Sequence, residues 1–145
     1  MIHFAALKSV GESVEQPLKY YQNNVGSLVC LIDLMNEFGV ENLVFSSSCT
    51  VYGEPDYLPV TEDHPIKKAE SPYGFTKQAC ENMIADCLRS SKLTRAVILR
   101  YFNAIGAHPS GLIGELPIGT PNFLVPFITE TAAGIREHLT IFGDT

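Results

Sequence analysis

The chain has 145 residues, 46% of them hydrophobic and 18% charged, which suits one modest soluble globular domain. A formal charge of −6 argues against a general affinity for nucleic acid, which needs a basic face, although a few local cations could still hold an anionic small ligand. No apolar run approaches the ~18 residues of a membrane span, and the N-terminus lacks the basic leader and long apolar core of a signal peptide.

Residues 2–5 form a short apolar run expected to end a buried strand. A loop containing Lys8 and Gly11 follows. Pro17 is suited to open a helix. Leu18, Tyr21, Val25, Leu28, Ile32 and Met35 recur at three- and four-residue steps, and Gly39 is a natural stop, so one amphipathic helix is expected here. Leu43, Val44 and Phe45 make the next strand, which ends in Ser46-Ser47-Ser48. After a polar stretch over 53–70, Ser71-Pro72 reads as an N-cap with a first-turn proline. That helix should run to about Ser90, with Cys80, Met83, Ile84, Cys87 and Leu88 on its apolar side. Residues 96–99 are a third buried strand. Residues 108–121, rich in Gly and Pro, are expected to be loop, and 123–137 to be one more helix, with Pro126 tolerable only in its first turn.

Strands and helices therefore alternate, and the strands are continuous apolar runs. Both features predict an α/β fold with a parallel sheet covered by helices on both faces. The four cysteines (Cys30, Cys49, Cys80, Cys87) form no C-x-x-C pair and are expected to be free thiols in a reducing cytosol. The four histidines are scattered, so no metal site is expected.

The strongest chemical signal is Tyr73-Gly74-Phe75-Thr76-Lys77. The i, i+4 spacing puts a phenol and an ammonium one helical turn apart on one face. A phenol ordinarily titrates near pH ~10, and a nearby cation favours its ionised form. Upstream, Ser48 ends a strand, where ligands sit in open parallel sheets. Its hydroxyl could bond a substrate oxygen and assist proton transfer. The third strand runs into Arg100-Tyr101-Phe102-Asn103 at the same rim.

Phe45 through Gly53, read Phe-Ser-Ser-Ser-Cys-Thr-Val-Tyr-Gly, resembles the serine motif of the UDP-glucose 4-epimerases. Ser71-Pro72-Tyr73-Gly74-Phe75-Thr76-Lys77 resembles their Tyr/Lys motif. Leu99 to Asn103 with Gly106 to Gly111, and Ile2 to Lys8 with Val10 to Ser13, resemble further segments of the same family at nearly constant spacing. These enzymes are extended short-chain dehydrogenase/reductases. The resemblance implies a partial Rossmann-like doubly wound parallel sheet, its second half over residues 1–107. The start of a substrate-binding lobe would follow over 108–145.

The resemblance also implies a function and a set of roles. Ser48, Tyr73 and Lys77 would be catalytic, acting on UDP-glucose and UDP-galactose with NAD. Tyr73 would take the proton of the sugar 4-hydroxyl and Ser48 would bond the same oxygen. Lys77 would hold the nicotinamide ribose and keep Tyr73 ionised. Phe4, Ala5, Ala6, Leu7, Lys8, Asn23 and Phe102 would line the NAD site, with Lys8 near the pyrophosphate. Asn103, Phe123, Leu124, Thr140, Ile141 and Phe142 would hold the nucleotide sugar. The helices opening at Pro17 and Ser71 would pair in a cytoplasmic homodimer, with no nucleic-acid or membrane partner; plain intramolecular core is the other reading of their apolar faces.

Phe123 stands where the family has an Asn. No glycine-rich phosphate loop of the form G-x-x-G-x-x-G or G-x-G-x-x-G occurs, and the family places that loop ahead of the position of Met1. The chain is thus expected to be an internal piece of a longer enzyme, weak in NAD binding and turnover by itself and marginal in stability. A 4,6-dehydratase of the same superfamily would carry an Asp-Glu pair after the catalytic hydroxyl, where this chain has Cys49-Thr50. A uronate decarboxylase, a different UDP-hexose epimerase and a noncatalytic truncated product are also compatible with these residues.

Overall fold

The computed structural model describes residues 1–90, 93–114, 121 and 123–141. The chain divides into two compact units, Met1–Phe102 and Asn103–Thr145.

The first unit is built on a parallel three-stranded sheet in the order β1-β2-β3, with β1 at Ile2–His3, β2 at Asn42–Ser48 and β3 at Arg95–Tyr101. The register pairs Ile2 with Val44 on one side of β2 and Asn42 with Arg95 through Ser48 with Tyr101 on the other. The β1–β2 crossover carries helices α1 (Val10–Glu15), α2 (Pro17–Tyr20) and α3 (Gly26–Glu37). The β2–β3 crossover carries a short 3-10 turn, Cys49–Tyr52, and helix α4, Pro72–Arg89. The strand–helix alternation read from the sequence is therefore present, as a parallel α/β fold.

The core lies between one face of the sheet and helices α3 and α4. Leu28, Ile32 and Met35 from α3 meet Leu43 and Phe45 from β2 and Cys80 and Ile84 from α4, with Leu93 closing one end. Ala96 and Ile98 of β3 pack against the same cluster. The opposite face of β3 exposes Val97, Leu99 and Tyr101. A doubly wound sheet carries helices on both faces, and the helices of this unit that enter its core lie on one. The third strand, expected to be buried, thus alternates between covered and exposed residues.

Two local differences from expectation have physical causes. The stretch with Gly11, expected to be loop, forms α1. Ser9 caps it by accepting from the Glu12 N–H, and the buried Tyr20 donates to Glu12 Oε2 at 2.7 Å. Tertiary contact outweighs the poor propensity of a short glycine-containing segment.

The long helix from Pro17 is continuous in outline but contains a π turn at Tyr21–Val25. That turn inserts one extra residue into the helical repeat. The stripe Leu28, Ile32, Met35 is buried as expected and Val25 packs partly buried against it, but further upstream the buried residues are Asn24 and Tyr20 instead of Tyr21 and Leu18. Leu18 is 73% exposed as a result. Gly39 ends the helix with φ +66, the left-handed conformation that glycine tolerates best.

In the second unit, residues from Asn103 to Gly114 are irregular and α5 spans Leu124–Ala132. It is shorter than expected, ending just before Gly134, which has φ +73. Pro126 sits in its first turn, as the missing N–H requires.

Ile84 is fully buried between α3 and β2. Ile84→Ala should lower stability by about 2–5 kcal/mol, read as a fall in the denaturant midpoint at constant m-value. An exposed position such as Ile66 should change it by less than about 0.5 kcal/mol on the same substitution.

Candidate active site

The site forms where β2 ends and α4 begins. Ser48 closes β2 and caps the following turn, and its Oγ accepts from Thr50 N–H at 3.3 Å and from Thr50 Oγ1 at 3.0 Å. With both acceptor positions taken, its own proton is left to donate. Ser71 caps α4 by accepting from the Gly74 N–H at 3.1 Å, and Pro72 fills the first position. The helix start is pressed against the turn after β2. A Cβ at Gly74 would lie 3.2 Å from the Thr50 carbonyl oxygen. Gly53 has φ +63, and a Cβ there would meet the Lys68 carbonyl oxygen at 2.7 Å, so both glycines permit this close approach. Gln78 ties the connecting loop to the helix, donating to the carbonyls of Val51 at 2.8 Å and Lys67 at 2.6 Å.

This docking brings Ser48, Tyr73 and Lys77 together, all three buried. The Ser48 hydroxyl lies beside the Tyr73 phenol and favours its ionised form. The Lys77 ammonium lies 5.9 Å from the Tyr73 ring centre and 5.0 Å from that of Phe45, and donates to the Ser46 carbonyl at 2.8 Å. Tyr20 closes the other side of the phenol, edge-on at 6.4 Å.

The electrostatics differ from expectation in one respect. In the protein alone, burial pushes the Tyr73 phenol above its ordinary range; Ser48 pulls it down and the nearby Cys49 pushes it up. The depression by Lys77 expected from the i, i+4 spacing does not set the phenol's titration. Burial also holds the Lys77 ammonium below its ordinary range, with Cys80 and Glu81 opposing. Burial raises the Cys80 thiol to about 11, so it stays protonated at neutral pH.

The expected cofactor loop runs alongside. Phe4, Ala5 and Lys8 are exposed, and Ala6 and Leu7 are half-buried. Leu7 is clamped by Asn24, whose Oδ1 accepts from the Leu7 N–H at 2.9 Å and whose Nδ2 donates to the Leu7 carbonyl at 2.9 Å and to Thr76 Oγ1 at 3.2 Å. Asn23 is exposed and donates from its Nδ2 to the same Asn24 Oδ1 at 2.9 Å. The π turn places both asparagines here. Phe102 is exposed just beyond β3. Asn103, Phe123, Leu124, Thr140 and Ile141 belong to the second unit and are exposed there; Phe142 lies outside the described residues.

Residues 1–136 match the NAD dependent epimerase/dehydratase family. The chain belongs to that family. It is 54% identical over 143 residues to UDP-glucose 4-epimerase 2 of Arabidopsis thaliana and 52% identical over 144 residues to the human UDP-glucose 4-epimerase. Each alignment covers 99% of this chain and 41% of the relative, so the chain spans about two-fifths of the length of the curated relatives it matches. Among solved structures it resembles the UDP-glucose 4-epimerase of Stenotrophomonas maltophila with bound NAD and formylated UDP-arabinopyranose. That match has a TM-score of 0.91 at 49% identity over 99% of this chain and 42% of the other. The Bifidobacterium longum UDP-glucose 4-epimerase in complex with NAD+ and UDP gives a TM-score of 0.91 at 44% identity, covering 99% and 43%.

Four residues of the epimerase-like site escaped the sequence reading. Asn24 was hidden by the assumed unbroken helical register. Thr50 carries no signal beyond following Ser48. Glu81 and Arg100 form a mostly buried ion pair with N–O distances of 3.0 and 2.7 Å, and Ser47 Oγ donates to Glu81 at 2.5 Å. The clue to Glu81 was the continued i, i+4 series Tyr73, Lys77, Glu81.

Tyrosinate absorbance should show two groups that titrate above an ordinary phenol, Tyr20 and Tyr73, of which one disappears in Tyr73→Phe. Because the Ser48 hydroxyl favours the phenolate, Ser48→Ala should move the Tyr73 transition to higher pH. A downward move would remove Ser48 as the phenol's donor.

Proposed function

We propose that the protein carrying this chain is a UDP-glucose 4-epimerase that interconverts UDP-glucose and UDP-galactose using tightly bound NAD. The observation that carries this reading is the meeting of the Ser48 hydroxyl, Tyr73 phenol and Lys77 ammonium at the end of β2, in a chain about half identical to such enzymes. NAD, when bound, would accept hydride from the sugar C4 and return it to the opposite face.

The donors around the site fit that cofactor. The Lys77 ammonium has the Ser46 carbonyl as its one acceptor among the described residues. Two N–H donors therefore remain, which suits a ribose diol. Tyr73 would remove the proton of the sugar 4-hydroxyl and restore it after the sugar turns over. Ser48, its proton directed outward by the two bonds from Thr50, would donate to that same oxygen.

Phe4, Ala5, Ala6, Leu7, Lys8, Asn23 and Phe102 would line the cofactor, with Lys8 toward the pyrophosphate. Asn103, Phe123, Leu124, Thr140, Ile141 and Phe142 would hold the nucleotide sugar. On this reading residues 1–107 are the second half of the NAD-binding part and 108–145 open the substrate-binding region. An elimination, as in the 4,6-dehydratases, is disfavoured because Cys49-Thr50 supplies no acid beside Ser48.

The homodimer belongs to the same proposal. Leu18, Val29, Phe75 and Leu88 are exposed on the helices of the two crossovers, and Tyr21 meets Phe75 edge-on at 6.0 Å between them. Apolar side chains grouped in this way suit a helix-to-helix interface. The four cysteines form no disulfide, which suits a cytoplasmic protein. No helix among the described residues is long and apolar enough to cross a membrane.

In the full-length protein, Tyr73→Phe should lower kcat by about 10²- to 10⁴-fold while NAD is retained, seen as absorbance after borohydride reduction. Wild-type turnover in that variant would remove the proposed base. Leu18→Glu with Phe75→Glu should shift the sedimentation coefficient from dimer to monomer; an unchanged dimer would place the interface elsewhere.

A further inference from the structure

The helical series that begins with Tyr73 and Lys77 continues one turn further to Glu81, and the structure gives this residue an unusual set of contacts. Glu81 is 6% exposed. Its Oε1 accepts from Ser47 Oγ at 2.5 Å and from Arg100 Nε at 3.0 Å, and its Oε2 accepts from an Arg100 terminal nitrogen at 2.7 Å. The other terminal nitrogen of Arg100 donates to the Tyr52 hydroxyl at 2.9 Å, and the guanidinium stacks 4.9 Å from the Tyr52 ring centre. One carboxylate on α4 is thus bound to β2 through Ser47 and to β3 through Arg100. Ser47 immediately precedes Ser48, and Tyr52 ends the turn that Ser48 caps.

Lys77 needs such a neighbour. Its ammonium is buried beside two aromatic rings and has one carbonyl acceptor. Along α4 it faces Tyr73, Cys80 and Glu81. From β1 it faces His3, whose own titration it helps to depress. From β2 it meets the Ser46 carbonyl and the Phe45 ring. From β3 comes Arg100, which is turned onto Glu81. Cys80 stays protonated at neutral pH, so Glu81 is the one carboxylate that opposes the desolvation of Lys77.

We propose that Glu81 is a positioning residue for the Tyr73–Lys77 pair: fixed by Ser47 and Arg100, its carboxylate keeps the Lys77 ammonium protonated and in place beside Tyr73. This deepens the epimerase reading and rests on it. Glu81 touches neither substrate nor cofactor in this role. Arg100 fixes the carboxylate, and the Ser47 bond transmits that placement to the strand end that carries Ser48.

The test uses the full-length protein and the variants Glu81→Gln and Glu81→Gln/Arg100→Gln. Glu81→Gln keeps an oxygen for Ser47 and removes the charge. It should lower kcat by roughly tenfold to a hundredfold with little change in KM. The alkaline limb of the pH–rate profile should move to lower pH, because the Lys77 ammonium loses the charge that helps it stay protonated. The double variant removes the stranded guanidinium charge; it should recover thermal stability without recovering kcat or the alkaline limb.

If the double variant regains both stability and rate, the pair is structural and the proposal fails. Wild-type kcat and an unmoved alkaline limb in Glu81→Gln would also overturn it. NMR titration of Lys77 in wild type and double variant separates this inference from the functional reading. A downward move on loss of Glu81 supports the inference even in a protein that shows no epimerase turnover, whereas an unchanged Lys77 titration rejects it whatever the activity.

Discussion

An ammonium taken out of water is costly, and the surrounding architecture accommodates it. Lys77 lies 4% exposed on a helix whose neighbouring turns are packed against a sheet. Burial of a lysine depresses its affinity for the proton by amounts that can abolish its charge at neutral pH. A carbonyl at a strand end, two ring faces and one carboxylate a turn away offset that cost. They come from two elements, Phe45 and Ser46 from β2 and Tyr73 and Glu81 from α4, and they meet because α4 docks with its polar residues inward. Thr76, Lys77 and Glu81 occupy buried positions that an ordinary amphipathic helix would give to aliphatic side chains. The docking is held by interactions that need no large apolar area: the Ser71 cap, the Gly74 contact with the Thr50 carbonyl, and the two bonds from Gln78.

A second polar clamp works on the other side of the site. The π turn at Tyr21–Val25 turns Asn24 inward, where the buried amide bonds both backbone groups of Leu7 as a neighbouring strand would. The same amide reaches Thr76, whose hydroxyl donates to the Tyr73 carbonyl at 2.7 Å. The loop after β1 and the first turn of α4 are thereby coupled through one side chain. A π turn weakens helical geometry and persists where surrounding contacts demand it. Here the demand is visible: Asn24 and Tyr20, four and eight residues before Leu28, are both buried, and Asn24 holds Leu7 and Thr76.

Most of the strand–helix order was legible because apolar runs, caps and stop glycines are local signals. Ser71-Pro72 and Gly39 mark their helix ends in the structure as they do in the sequence. The meeting of Ser48 with Tyr73 was legible through the fold rule that strand ends collect functional groups. What stayed hidden depended on three-dimensional context. The shift of register at Asn24 cannot be seen from a 3.6-residue repeat. The pairing of Glu81 with Arg100 joins residues on different elements, and although the i, i+4 series points to Glu81, nothing in the sequence points to its partner. The rise of the Tyr73 phenol follows from burial depth, which spacing does not report; an i, i+4 cation is a weak influence beside it when the ammonium is turned onto a carbonyl.

The Glu81–Arg100 pair shows why geometry, more than net stability, explains this polar interior. Replacing a buried ion pair by well-packed apolar groups is often neutral or stabilising, so stability alone gives little reason to retain one. Removing one partner is costly because the other charge is left behind, which makes the pair rigid in both partners' positions. Arg100 offers two nitrogens to one carboxylate, and a planar fork of this kind fixes orientation as well as distance. Three elements meet at Glu81: β2 through Ser47, β3 through Arg100, and α4 through its own backbone. An apolar side chain there could fill the same space, but it could not fix the direction of a helix face that must present a phenol and an ammonium at a strand end. A carboxylate held from two strands supplies that direction, and its charge is what keeps the neighbouring ammonium charged.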